Sequence, residues 1–311
     1  MKYVGISLNL DSLGEAYGFP NQFIDDKTFS IGLERIQKLS SKYKFPLTIF
    51  VVGRDLENKK NYYLLRKFCE NYNIEIANHS YNHLFEFGKL DEASIISEID
   101  KSHEIIYDCT KQESKGFISP NWSISKSAIK HLIKLNYEYD TSFFPSIFLY
   151  PMLLKIFFNH KNNLKKAIAT LNRRDYLVPF YSKMKPFFLD EKMNIIKNYK
   201  SSKSILEFTM PTLNRFDVPI WHTVGYVFGW KYLEKKIKKF MKKQSPFFYL
   251  IHPADFLGKE DLDARFSHSL YRMDLSYEEK ISFLERIFDL ISQHNFSGKK
   301  IKEISSLFKD S

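Results

Sequence analysis

Apolar runs and amphipathic stretches alternate along the first half of the chain. Lys2 to Leu10 reads as a first strand, rich in β-branched and apolar residues and ending at Asp11. A loop follows, and Ile31, Leu33, Ile36 and Leu39 then mark one face of a helix over about 28–43. Pro46 to Val52 is a second strand, Asn58 to Tyr72 a helix, and Ile74 to Asn78 a third strand. Asp91 is placed to cap a long helix that carries Ile95, Ile99 and Ile106 on one stripe. A short strand at Gly116 to Ser119, a helix at Ser125 to Leu135 and a strand at Tyr137 to Tyr139 complete the regular part. No hairpin signal joins these strands, so the alternation implies a parallel sheet or a β/α barrel.

The rhythm then breaks. About 143–203 is basic, aromatic and irregular, and is expected to be an insertion in a single domain spanning 1–311 rather than a second domain. Ile205 to Met210 resumes as a strand, Trp230 to Lys243 is a helix, and Phe247 to Ile251 is a buried strand ending at His252. Ser276-x-x-Glu279 is a capping box opening a last long helix, and Lys299 to Lys309 is a short closing one.

Composition changes this picture little. With 311 residues, 44% of them apolar, the chain can bury a large core. Aromatics reach 16%, which suits stacking on sugar rings and equally suits A/T-rich coding. The two cysteines, Cys69 and Cys109, show no metal or disulfide spacing and fit a reducing compartment. Asp11 interrupts the N-terminal apolar run too early for a signal peptide, and the longest apolar run, Phe143 to Leu154, is too short for a bilayer. A cytoplasmic protein is therefore expected. The net charge of +11 is compatible with nucleic acid, but no nucleic-acid motif accompanies it, so no such partner is expected.

The chemistry-bearing residues sit at strand ends. Asp11, His79 with His83, Pro120-Asn121-Trp122, Asp140 and His252 each follow a different strand, where the loops of a β/α barrel gather. His79 and His83 stand four residues apart, which on one turn of helix would aim both imidazoles at one point, as a metal ion requires.

This order resembles the polysaccharide deacetylase family, the NodB-like carbohydrate esterases. His79-Ser80-x-x-His83 fits the family's H-[ST]-x-x-H, Asp11 in Leu8-Asn9-Leu10-Asp11 fits its metal-binding acid, Asp140-Thr141-Ser142 its fourth motif and Leu250-Ile251-His252 its fifth. The resemblance covers roughly 1–142 and 204–255. It implies a distorted (β/α)7 barrel that hydrolyses N-acyl groups on sugars with a divalent metal, zinc being the expected ion. Asp11, His79 and His83 would be the ligands, a two-histidine, one-carboxylate face with open positions. His252 would protonate the departing amine, Asp140 would orient it, and Pro120, Trp122, Trp221 and His222 would contact substrate.

Two positions depart from the family pattern. The catalytic base is replaced by Asn9, and the arginine of R-x-P by Ile118; losing both members of a buried ion pair together is physically coherent. His222 or Asp217 could supply a substitute base. Residues 146–174 hold Lys155, Lys161, Lys165, Lys166, Arg173 and Arg174 among apolar residues and no acid. That composition suits either an anionic membrane interface or amphipathic helices packed on the barrel. The expected function is removal of an acetyl or formyl group from a lipid- or nucleotide-linked sugar in cell-surface polysaccharide assembly. The alternative is a catalytically silent relative that binds a glycan or glycolipid.

Overall fold

The computed structural model describes residues 1–13, 27–159, 163–243, 246–261 and 274–309. Its strands are β1 (Lys2–Leu10), β2 (Leu47–Val51), β3 (Glu75–Asn78), β4 (Gly116–Phe117), β5 (Tyr139–Asp140), β6 (Phe187–Asp190), β7 (Ile195–Ile196), β8 (Ser204–Glu207), β9 (Phe247–Ile251) and β10 (Phe296–Gly298). The helices are α1 (Leu33–Tyr43), α2 (Lys59–Asn71), α3 (Glu92–Thr110), α4 (Lys126–Lys134), α5 (Leu149–Asn159), α6 (Leu164–Leu171), α7 (Val178–Tyr181), α8 (His222–Phe228), α9 (Trp230–Lys243), α10 (Tyr277–Gln293) and α11 (Ile301–Lys309). Asp91 and Ser276 cap their helices as expected, and Asn58 and Ser125 also serve as caps: each of the four accepts a backbone N–H of the first turn.

Seven strands run parallel in the order β9-β1-β2-β3-β4-β5-β8. Strand alternation divides each into an outer and an inner face. Val4, Ile6, Leu8 and Leu10 of β1 join Ile49 and Val51 of β2 in the core that packs under α1, α9 and α10. Phe50, Ala77, Ile118, Tyr139, Leu206, Phe208, Phe248 and Leu250 form a second core inside the curved sheet. Phe208, just past β8, and Phe248 of β9 lie 4.4 Å apart by ring centroids, so side chains close the gap between the terminal strands. This is the expected distorted seven-stranded β/α barrel.

One end of the barrel is plugged. Ile301 and Ile304 of α11 pack into the inner core, and the Ile301 N–H donates to Thr48 Oγ1 at 2.9 Å. Buried Glu75 accepts from Thr48 Oγ1 (2.7 Å), Tyr139 Oη (2.7 Å) and Lys302 N (3.0 Å), which seats the carboxyl against the start of α11. These residues belong to the N-terminal halves of their strands. The C-terminal ends are left for chemistry.

Strands β6, β7 and β10 and helices α5 to α8 were not read from the sequence. β10 pairs with Lys2–Val4, and β6 and β7 form a hairpin that adds antiparallel to β8. The hairpin turn is built by Asp190, which accepts from Lys192 N and Asn194 N, with Met193 at φ 65° in place of glycine. Of the apolar residues at 143–158, Leu149 and Leu153 pack into the inner core, whereas Leu154 and Phe158 face outward.

Candidate metal centre

Strand alternation aims Asn9 and Asp11 inward at the open end, and both are buried. The backbone after Asp11 is held by Asp55, which accepts from Ser12 N (3.0 Å) and Ser12 Oγ (2.8 Å). His79 follows β3, and the segment to His83 is not helical. Ser80 and His83 take left-handed backbone angles (φ 62° and 53°), and it is this bent loop, rather than a helix turn, that brings the imidazoles together.

Such a loop needs support, and hydrogen bonds supply it. Asn78 accepts from Ser80 N (2.8 Å) while its amide donates to Ile99 O (3.1 Å) and Tyr137 Oη (2.9 Å). Glu98 of α3 accepts from Tyr81 N (3.2 Å) and Asn82 N (2.8 Å), and Ser80 Oγ from His83 N (3.2 Å). Gly53 donates to Ser80 O (3.0 Å), and a Cβ there would lie 2.9 Å from both the Ser102 Cα and the Tyr81 ring.

The side-chain geometry is that of a ligand set. His79 Nδ1 lies 2.7 Å from the Ile118 carbonyl, so Nδ1 carries the proton and the Nε2 lone pair faces Asp11. Asp11 Oδ1 is 3.3 Å from His79 Nε2 and 3.9 Å from His83 Nε2, and among the described residues no hydrogen-bond donor reaches it. Burial would raise the Asp11 carboxyl, but the imidazoles, His83 foremost, hold it below the usual carboxylate range. Burial pulls His83 down to about 3, so that ring is neutral. A carboxylate and two imidazole lone pairs thus face one another across a dry space, an arrangement that a cation satisfies. Ligand atoms bonded at about 2.0–2.2 Å around a tetrahedral ion are spaced about 3.3–3.6 Å apart; the 3.3 Å from Asp11 to His79 matches this and the 3.9 Å to His83 is wider. Among the described residues, this trio is the one group of histidine, cysteine and acidic side chains with all ligand atoms within 4.8 Å.

Residues 23–139 match the family model for polysaccharide deacetylase, a stretch that includes His79, His83, Pro120 and Trp122. The chain is 24% identical over 211 residues to a peptidoglycan deacetylase of Helicobacter pylori, covering 66% of this chain and 67% of that one. Over that stretch the chain is similar to the polysaccharide deacetylase family. Two crystal structures share its fold. A protein described as a polysaccharide deacetylase from Mycobacterium smegmatis superposes with a TM-score of 0.60 at 12% identity, over 99% of this chain and 90% of that one. A second, from Pseudomonas aeruginosa PAO1, gives 0.55 at 14% identity, over 98% and 89%.

Around the centre, the structure differs from the sequence expectation in several places. Asp140 does not partner His252. It is buried, accepts from Ser142 Oγ (2.6 Å), and lies within hydrogen-bond reach of Glu207. Burial lifts Asp140 to about 6 and, with Asp140 beside it, raises Glu207 well above the usual carboxylate range, so the pair shares a proton. The carboxylate at His252 is Asp255, which accepts from His252 N at 2.8 Å and stands 4.0 Å from its Nδ1. His222, expected to contact substrate, is fully buried with Nε2 2.6 Å from Asp255 Oδ1, where it braces Asp255. Asp217 is paired with Lys236 and His222 with Asp255, so both proposed substitute bases are already engaged.

The ring of Trp122 packs on Phe144 (5.4 Å) and Trp221 (5.9 Å), and Trp221 lies 5.4 Å from His252. Pro120 is buried in the same turn, whose Asn121 and Trp122 have positive φ. Arg173 pins that turn by donating to the carbonyls of Asn121 (2.8 Å) and Trp122 (2.7 Å), while Asp175 holds its guanidinium. Arg173 is therefore an internal clamp, not one of the outward-facing cations. Asp255 and Glu98 were not read from the sequence, and Arg173 was read only as one cation of the 146–174 segment; the roles of Glu98 and Arg173 depend on distant backbone. Only the spacing of Asp255, three residues past His252, offered a signal.

Protein equilibrated with zinc and then dialysed is expected to keep about one ion per chain, and Asp11→Ala and His79→Ala to lose it. Equal metal content in native protein and His79→Ala would contradict the assignment.

Proposed function

We propose that the chain is a metal-dependent hydrolase that removes an N-acetyl or N-formyl group from a sugar. The observation that carries this is the convergence of Asp11 Oδ1, His79 Nε2 and His83 Nε2 at the open end of the barrel, with the His252 imidazole beside them. A divalent cation, zinc by the donor set, supplies Lewis-acid chemistry there: a more acidic water and a polarised acyl carbonyl. His252 gives a proton to the departing amine nitrogen, and the Asp255 carboxylate, braced by His222, favours the charged imidazolium. Trp122 and Trp221 wall the acyl side and restrict water. Asn9 is an amide and takes no proton, which removes the roughly 10²–10⁴-fold that a general base contributes. A slow enzyme follows.

A catalytically silent, glycan-binding protein is the second reading, and Asn9 together with buried Ile118 favours it. Turnover of N-acetyl and N-formyl sugars with zinc or cobalt separates the two. Under the hydrolase reading, His252→Ala is expected to lower kcat about 100-fold or more without loss of metal, and Asn9→Asp to raise it. No turnover by either native protein or Asn9→Asp, with metal bound, would contradict it.

A lipid-linked precursor used at the cytoplasmic face of a membrane is proposed from the surface of α5–α7. Leu154, Phe158, Leu164, Ile168, Leu177, Phe180 and Tyr181 are all exposed there, with exposed Lys155, Lys165 and Arg174 among them. α5 packs on α6, and the Tyr150 ring of α5 meets Phe180 of α7, so the three helices make one apolar, cationic surface. No helix among the described residues is long and apolar enough to cross a membrane. Flotation with vesicles containing anionic lipid is expected for native protein and lost in Phe158→Glu/Leu177→Glu. Absence of flotation at low salt would contradict the membrane contact.

A further inference from the structure

Helix α3 stands behind the histidine loop and holds both halves of it. Glu98 accepts from the far half, at Tyr81 N and Asn82 N. The near half hangs on Asn78, which is wholly buried and uses every polar atom of its side chain. Its Oδ1 accepts from Ser80 N at 2.8 Å, and its two amide hydrogens go to Ile99 O of α3 (3.1 Å) and Tyr137 Oη (2.9 Å). A buried phenol that accepts here must place its own hydrogen elsewhere. His103, one turn of α3 beyond Ile99, meets that need with Nδ1 3.0 Å from Tyr137 Oη. Burial raises the Tyr137 phenol, which keeps its proton, and holds His103 below the usual histidine range, so the ring is neutral and Nδ1 can accept.

The chain of hydrogen bonds from Ser80 N through Asn78 and Tyr137 to His103 has a direction. With His103 as the last acceptor, the phenol turns a lone pair rather than its hydrogen towards the Asn78 amide. The amide is thereby locked with Oδ1 on Ser80 N. Ser80 sits at φ 62°, a conformation that a residue with a Cβ keeps only under such restraint, and it directly follows His79. We propose that Tyr137 and His103 are positioning residues for the metal centre. Acting through Asn78, they fix the backbone at Ser80 and so keep the His79 and His83 lone pairs aimed at Asp11. The inference rests on the reading of that trio as a metal centre.

Zinc affinity, measured by competition with a chelating dye, and the visible spectrum of the cobalt-loaded protein test it. Tyr137→Phe is expected to bind zinc about tenfold more weakly, the loss typical of groups that orient a ligand from behind. Its cobalt bands should shift at saturating metal, because the imidazoles approach the ion differently. His103→Leu should weaken zinc in the same direction, and His103→Asn should restore much of the affinity, since its amide oxygen offers an acceptor near the place of Nδ1. Tyr62→Phe removes a phenol that donates to Asp108 on the outer side of α3 (2.8 Å) and should leave both readouts unchanged. A merely structural role would lower the melting temperature of the metal-free variants without moving the zinc affinity or the cobalt bands of folded protein. Native affinity and native cobalt bands in Tyr137→Phe would therefore overturn the inference. If that variant does not fold, native affinity in His103→Leu overturns it instead. Absence of zinc binding by native protein would sink the metal centre and this inference together, whereas equal binding by native protein and the variants counts against the positioning roles alone.

Discussion

The site depends on an electrostatic conflict. Asp11 Oδ1 and the Nε2 atoms of His79 and His83 are electron-rich, shielded from solvent and within 4.8 Å of one another, and among the described residues no donor hydrogen resolves the contact. Left to themselves, such groups would separate or take up a proton. They are kept together by a second layer: the Ile118 carbonyl sets the His79 tautomer, Glu98 and Asn78 hold the left-handed loop, and Asp55 fixes the chain after Asp11. Organisation of this kind costs stability unless a cation offsets it, which is why the trio reads as a centre rather than as a core polar cluster.

The rest of the fold serves that convergence. A parallel barrel brings all strand ends to one rim, and α11 closes the other with its N-terminus against buried Glu75. The 143–203 segment is tied into the rim at three places. Arg173 clamps the Trp122 turn, β6 extends the sheet beside β8, and α6 faces the histidine loop across a groove. The segment that breaks the repeat thus shapes the entrance, which fits a role in choosing the substrate while the strand ends carry the chemistry.

The regular part was legible because its physics is local. Alternation in β1 already separates Val4, Ile6, Leu8 and Leu10 from Ser7, Asn9 and Asp11, and strand ends place Asp11, His79 and His252 on one rim. The reading failed where partners come from afar. The spacing of His79 and His83 suits a helix, yet two left-handed residues achieve the same approach in a loop. Asp140 occupies the position expected of an orienting acid, but Glu207 from β8 claims it, and Asp255 reaches His252 through a short turn. The β6–β7 hairpin was missed because its turn lacks the usual Asn-Gly or Asp-Gly signal.

The most direct test of the central claim is anomalous diffraction from crystals soaked in zinc or cobalt. The account predicts one strong peak about 2.0–2.2 Å from Asp11 Oδ1, His79 Nε2 and His83 Nε2. A saturated crystal with no peak among these atoms, or with the ion held by other side chains, would contradict it.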